Sequence, residues 1–388
     1  MLSALATDRA RVADLEAQIV ELERSLAALV LEKTIAQERL NAYTYPVLTL
    51  PDEIISEIFI HFIPIYPACP PITGLLSPTL LTHICRKWRT IARTTPALWR
   101  AISLSSDGTP FQNPAYISDI LSRSGCLPLS IELNYHDSED DDSESKVLQA
   151  AFLHCKRWEY VELCSWGFDL PIIERDLPLL RHISLDFDDG ESQIPYIIIN
   201  DAPLLRKAVL GAVNLSKLML PWEQLTSLTV DQINADAWIP VLQQTSNLVH
   251  CELSLYDTGI DNNNPPPEVI LPCLQSLTYD NLDVGFDNLD PGDDDGYDGF
   301  LNVVFAPALR SLRIAEIFLR PNPIGSLASF IAKSGCNLEE LAVAGKRWVP
   351  ASSYRKAFPS IGKFSFDGGA DEDYATVEGD SDSRVHLS

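Results

Sequence analysis

Along the first forty residues, apolar side chains recur at heptad spacing: Leu5, Val12, Leu15, Ile19, Leu22, Leu26, Leu29 and Leu40. Asp8, Lys33 and Ala36 break the register, and Ala, Glu, Arg and Leu fill the gaps. No Gly or Pro occurs before Pro46, so the pattern predicts one long helix over residues 1–45. A seam sustained over several heptads suits a coiled coil, either self-associating or with a partner. The alternative is an amphipathic helix packed on its own domain.

Pro46 ends that helix, because it lacks a donor and restricts the residue before it. Leu50-Pro51-Asp52-Glu53 then opens a second helix, with Pro at its start and acids in its first turn. Ile54, Ile55, Ile58, Phe59 and Phe62 form its apolar stripe. The proline-rich stretch 64–78 reads as a loop. Leu80, Leu81, Ile84, Cys85, Trp88, Ile91 and Ala92 mark a further helical stretch, followed by Pro96, Leu98 and Trp99.

Leu50-Pro51-x-Glu53-Ile54-Ile55-x-x-Ile58-Phe59, then Ile84-Cys85-Arg86-x-Trp88-Arg89-x-Ile91-Ala92 and Leu98-Trp99, resembles the F-box over residues 47–104. The likeness is strongest to the F-box proteins of mushroom-forming fungi, which often join an N-terminal heptad helix to a leucine-rich C-terminal half. The insertion at 64–78 is longer than the usual connection between F-box helices. The resemblance implies docking on the Skp-type adaptor subunit of a cullin-type ubiquitin ligase. The implied contacts are Leu50, Pro51, Ile54, Ile55, Ile58, Phe59, Trp88, Leu98 and Trp99. Read as a plain helical bundle instead, the segment puts Trp88, Ile84 and Ile91 in its core, whereas Leu50 and Pro51 precede the helix as an exposed apolar pair. Arg86, Lys87, Arg89, Arg93 and Arg100, with no acid between residues 80 and 104, suggest an acidic partner for this segment.

Beyond residue 104 a pattern close to L-x-x-L-x-L recurs. It falls at Trp158/Val161/Leu163, Leu180/Ile183/Leu185, Leu205/Ala208/Leu210, Leu215/Leu218/Leu220 and Leu225/Leu228/Val230. It returns at Leu248/Cys251/Leu253, Leu274/Leu277/Tyr279, Leu309/Leu312/Ile314 and Leu338/Leu341/Val343. Leaving out Leu215, successive starts lie roughly 20 to 35 residues apart, the period of a leucine-rich-repeat solenoid. Pro178, Pro203, Pro272 and Pro307 each stand two residues before a first leucine. Helical stretches fall between, at 117–122, 147–155, 238–243 and 327–332. Arg123-Ser124-Gly125-Cys126 and Lys333-Ser334-Gly335-Cys336 echo one another. A non-repetitive α/β domain with leucine-rich strands is the competing reading. In the solenoid the leucines point inward, and residues between them project from a concave sheet. His182, His250, Glu252, Thr278 and Arg313 are the candidate target-binding positions on that face.

The chain has 388 residues, 46% of them apolar, enough for a sizeable core and two or three domains. Its formal charge of −25 argues against nucleic-acid binding; the acid outside residues 47–104 suits a target whose contact surface is basic, the alternative being that it only keeps the domain soluble. The acid concentrates at 137–144, 283–298 and 367–382, read as solvated loops and a disordered tail. An EF-hand reading of Asp293-Asp294-Asp295-Gly296 fails, because Pro291 and Asn302 would occupy the first and last ligand positions. Eight cysteines without a C-x-x-C pair read as reduced, mostly buried thiols. No apolar run is long enough for a membrane span and no secretory leader is recognisable, so a cytoplasmic or nuclear location is expected. Walker, Rossmann, zincin and nucleophile-elbow motifs are all missing, and an enzyme, cofactor or metal site is not expected.

These readings give a mixed α/β fold. A heptad helix (1–45) precedes a three-helix F-box (47–104), an irregular leucine-rich-repeat domain (110–366) and an acidic tail (367–388). The expected role is substrate recognition for a ubiquitin ligase. The alternative is a non-ligase scaffold that oligomerises through the N-terminal helix.

Overall fold

The computed structural model describes residues 2–43, 45–105, 114–135, 141–165, 173–187, 196–211, 213, 215–257, 267–280, 300–345 and 347–366. The fold is mixed α/β. Helix α1 (Leu2–Ala42) runs unbroken, and every side chain described from Leu5 to Ala42 is exposed. The reading in which α1 packs on its own domain is therefore not what the fold adopts. A 3₁₀ turn, Pro46–Thr49, leads out of it.

Three short helices follow: α2 (Asp52–Phe62), α3 (Pro78–Ile84) and α4 (Arg86–Thr94). Their starts are written into the sequence. Pro51 precedes the acids of the first turn of α2. The Ser77 hydroxyl accepts the Leu80 amide at 3.2 Å and caps α3. The Cys85 thiol accepts the Trp88 amide at 3.4 Å at the start of α4, which gives the cysteine of the Cys-Arg-x-Trp-Arg run a local task. Ile55, Phe59, Leu81, Ile91, Ala92, Leu98 and Trp99 fill the core, and Trp99 Nε1 donates to the Ala92 carbonyl at 2.7 Å.

The remainder is built on parallel strands. The first stretch comprises β1 (Ala101–Ser105), α5 (Pro114–Arg123), β2 (Leu129–Tyr135), α6 (Asp141–Phe152), β3 (Trp158–Ser165), β4 (Ile173–Asp176) and β5 (His182–Phe187). Then come β6 (Ile197–Asp201), β7 (Lys207–Gly211), β8 (Leu218–Met219), β9 (Ser227–Asn234), α7 (Ala235–Leu242) and β10 (His250–Asp257). The last stretch comprises β11 (Val269–Ile270), β12 (Ser276–Asp280), α8 (Phe300–Val303), β13 (Val304–Phe305), β14 (Ser311–Ala315), α9 (Pro323–Ser334), β15 (Glu340–Ala344), α10 (Ala351–Ala357) and β16 (Lys363–Phe366).

One eleven-stranded sheet runs β1-β2-β3-β5-β7-β9-β10-β12-β14-β15-β16 in chain order, and its strand pairs are parallel. The strands skipped form two small parallel sheets, β4-β6-β8 and β11-β13. Side chains alternate across a strand, so register sets which residues share a face. One inward row includes Ile131, Val161, Ile183, Ala208, Leu228, Cys251, Leu277, Leu312 and Leu341. The next carries Leu133, Leu163, Leu185, Leu210, Val230, Leu253, Tyr279, Ile314 and Val343. These residues are buried and form one continuous core.

The prolines before the strands have a single task. Leu180, Leu205, Leu274 and Leu309 each donate their amide to the carbonyl three residues back, at 3.0–3.3 Å. Pro178, Pro203, Pro272 and Pro307 thus occupy the second position of a turn, where a fixed φ costs nothing. The two Ser-Gly-Cys echoes are also structural: Gly125 and Gly335 have φ of 61° and 63°, where a side chain would be strained.

Several expectations are corrected. The sheet begins at Ala101, inside the segment assigned to the helical module. Leu218 joins the small β4-β6-β8 sheet, not the large one. Of the free cysteines, Cys155, Cys251 and Cys336 are buried, whereas Cys126 and Cys273 are exposed. Residues 141–144 open α6 instead of lying in a loop. The rest of that acidic run, the run at 283–298 and the tail from 367 lie outside the described residues. Among the described residues, no helix is long and apolar enough to cross a membrane, and no group of His, Cys, Asp or Glu is arranged to hold a metal.

Candidate protein-interaction surfaces

Helix α2 is apolar on two sides. Ile55 and Phe59 point into the core, while Ile54 and Ile58 are 49% and 46% exposed. Of the nine contacts implied for the adaptor, Ile55, Phe59, Leu98 and Trp99 are thus buried side chains that hold the module together, and no partner could touch them as it stands. Trp88 is half-buried, its ring 4.9 Å from that of Phe59. Leu50 is also half-buried against the core, and Pro51 is exposed. Ile84, expected inside, is 55% exposed, and Leu80 one turn earlier on α3 is exposed too.

The Leu50-Pro51 segment is held from α4. Lys87 Nζ donates to the carbonyls of Leu48 and Leu50, 3.0 Å each, and lies 3.1 Å from the Asp52 carboxylate. Arg89 Nε donates to the Thr82 carbonyl at 2.8 Å, and Arg100 stacks 3.6 Å from the ring centroid of Tyr66. Three of the five basic residues therefore act within the chain, leaving Arg86 and Arg93 exposed.

The proline-rich loop is a strap onto the sheet. Pro71 pairs with Ser103 of β1, the edge strand. The Ser130 hydroxyl donates to the Pro67 carbonyl at 2.7 Å and lies 3.4 Å from the Cys69 thiol. Burial pushes the Cys69 thiol up to about 11. The Tyr66 hydroxyl donates to Glu159 at 2.8 Å, and its ring meets Tyr160 edge-on at 5.6 Å. Burial and the Glu159 carboxylate together raise that hydroxyl above the ordinary phenol range.

The face of the sheet opposite the core is polar. One row runs Tyr160, His182, Lys207, Ser227, His250, Ser276, Ser311, Glu340 and Lys363. The next runs Glu132, Glu162, Ser184, Val209, Thr229, Glu252, Thr278, Arg313 and Ala342. Glu252, Thr278 and Arg313 are thus direct neighbours, and His250 lies two residues from Glu252 on β10. His182 is apart from them, with β7 and β9 between. Arg313 Nε pairs with Asp280 at 3.1 Å. Burial and then Lys207 lower the His182 imidazole below its usual value.

The sequence pattern did not single out the acidic end of this face. Glu132 and Glu162 stand directly opposite one another, with Asp186 nearby on β5. Burial, then Glu132, then Asp186 push the Glu162 carboxyl above the ordinary range. The signal was present, since Glu162 sits between Val161 and Leu163 of a recognised strand. No family model and no curated protein matches this chain.

Proposed function

We propose that this chain is the substrate-recognition adaptor of a cullin-type ubiquitin ligase. In this reading residues 47–100 are an F-box that docks a Skp-type adaptor subunit. The eleven-stranded sheet is an irregular leucine-rich-repeat solenoid whose polar face holds a target protein. The observation that carries the docking half is the second apolar side of α2. A surface helix that buries Ile55 and Phe59 has no internal reason to present Ile54 and Ile58 to water. Strand order that follows chain order, with leucines stacked in two inward rows, supports the repeat reading. The acidic end at Glu132, Glu162 and Asp186 favours a target with a basic contact surface. Capture of a purified Skp-type adaptor by the full chain tests the docking half. Target capture across a salt series, by wild type and by a variant changed at His250, Glu252, Thr278 and Arg313, tests the other. A scaffold without ligase recruitment is the second reading, favoured by the exposure of α1 along its length. It holds if the chain self-associates and captures no adaptor.

A further inference from the structure

The exposed seam of α1 carries two charged breaks, Asp8 and Lys33, and their placement is informative. In heptad register Leu5, Val12, Ile19, Leu26 and Lys33 hold the first seam position. Asp8, Leu15, Leu22, Leu29 and Ala36 hold the second. Two copies lying parallel and in register would set Lys33 against Lys33 and Asp8 against Asp8. Two copies lying antiparallel put first positions against second ones. With residues whose numbers sum to 41 brought together, Ile19 meets Leu22, Leu15 meets Leu26, and Val12 meets Leu29. In that single alignment Asp8 of each copy meets Lys33 of the other, and small Ala36 meets Leu5. All these side chains are exposed in one copy.

The flanks lean slightly the other way, since in a parallel pair Arg11 would face Glu16 of the second copy, but they lie outside the apolar seam. In the antiparallel register Arg11 faces Glu32, an attraction, while Glu16 faces Glu23, a repulsion of similar size. The seam decides, because like charges placed inside it are opposed and opposite charges are matched. We infer that α1 pairs with α1 of a second copy as an antiparallel two-helix coil centred between Val20 and Glu21, with Asp8 and Lys33 as the reciprocal ion pairs that fix its register. This inference does not depend on the proposed adaptor role.

Sedimentation equilibrium of the full chain at low salt tests it. Wild type is expected to dimerise. Asp8→Lys alone and Lys33→Asp alone should each weaken the dimer about tenfold, because each replaces two attractions by two repulsions. Asp8→Lys combined with Lys33→Asp should restore the wild-type constant. Both substitutions are at exposed positions, so the fold is not at stake. Carbodiimide cross-linking read by mass spectrometry gives an independent check. Asp8 and Lys33 lie about 37 Å apart along one helix at 1.5 Å per residue, so an amide between them joins two copies. A monomeric wild type overturns the inference. So does a double variant as weak as the single ones, and so do variants that all dimerise as wild type does, which is the behaviour of a parallel coil, where each substitution exchanges one like-charge pair for another.

Discussion

Lys87 donates to the Leu50 carbonyl at 3.0 Å, so the fourth helix of the chain fixes the backbone on which the second begins. The same ammonium group reaches Leu48 and Asp52, and the Lys87 side chain is half-buried. Lys87→Met keeps that burial and removes all three polar contacts. It should cost about 1 kcal/mol in denaturant unfolding, the scale of partly exposed charged hydrogen bonds. An unchanged midpoint would show that the Leu50-Pro51 segment is held by packing alone.

Arg100 and Tyr66 fasten the strap to the first strands. A cation over an aromatic face is worth about 0.5–2 kcal/mol, depending on exposure. Arg100→Ala should therefore loosen residues 64–78 and speed their cleavage in limited proteolysis, with Arg100→Lys between the two. Cleavage of Arg100→Ala at the wild-type rate would remove Arg100 from this role.

The Glu132–Glu162 pair gives a pH dependence with a definite sign. Glu162 holds its proton more tightly folded than unfolded, so its contribution to stability is present at low pH and is lost as pH rises through its elevated value. Like charges directly opposite on neighbouring strands cost about 0.2–1 kcal/mol. Glu162→Gln should thus stabilise the protein at pH 7 by that amount and have little effect near pH 4, where the upward-shifted Glu162 carboxyl already holds its proton. Unfolding curves at the two pH values decide it, and a larger gain at pH 4 would contradict the account.

The inward rows set the stability of the sheet. Leu253 is fully buried between Val230 and Tyr279, whereas Thr278 lies on the polar face. Leu253→Ala should cost about 2–5 kcal/mol, and Thr278→Ala about 0.5 kcal/mol or less. Comparable losses from both would mean that the two faces are not distinguished as described.

Much of this architecture was legible because a leucine two residues before a strand and two alternating side chains on it all face one core. Leu309, Leu312 and Ile314 show the pattern at full strength. The outer strands kept the spacing and lost the leucines. Trp99/Ile102/Leu104 begins with a residue that also suits the helical module, and Ile361/Phe364/Phe366 ends the sheet with aromatics. The candidate contacts on α2 were only half legible. Ile54, Ile55, Ile58 and Phe59 cover a wide arc of helix, and nothing local distinguishes its inner edge from its outer one. The strap was read as a plain loop, since Tyr66 and Cys69 find partners at Glu159 and Ser130, far away in sequence.

The most direct test of the proposed role is titration of a purified Skp-type adaptor subunit against the full chain. Wild type should bind. Ile54→Asp with Ile58→Asp should lower affinity at least tenfold, since one central apolar anchor is worth about 2 kcal/mol. Both sites are already exposed, so circular dichroism should be unchanged. Ile65→Asp, on the strap and 86% exposed, should bind as wild type does. No binding by wild type, or undiminished binding by the double variant, would contradict the adaptor assignment.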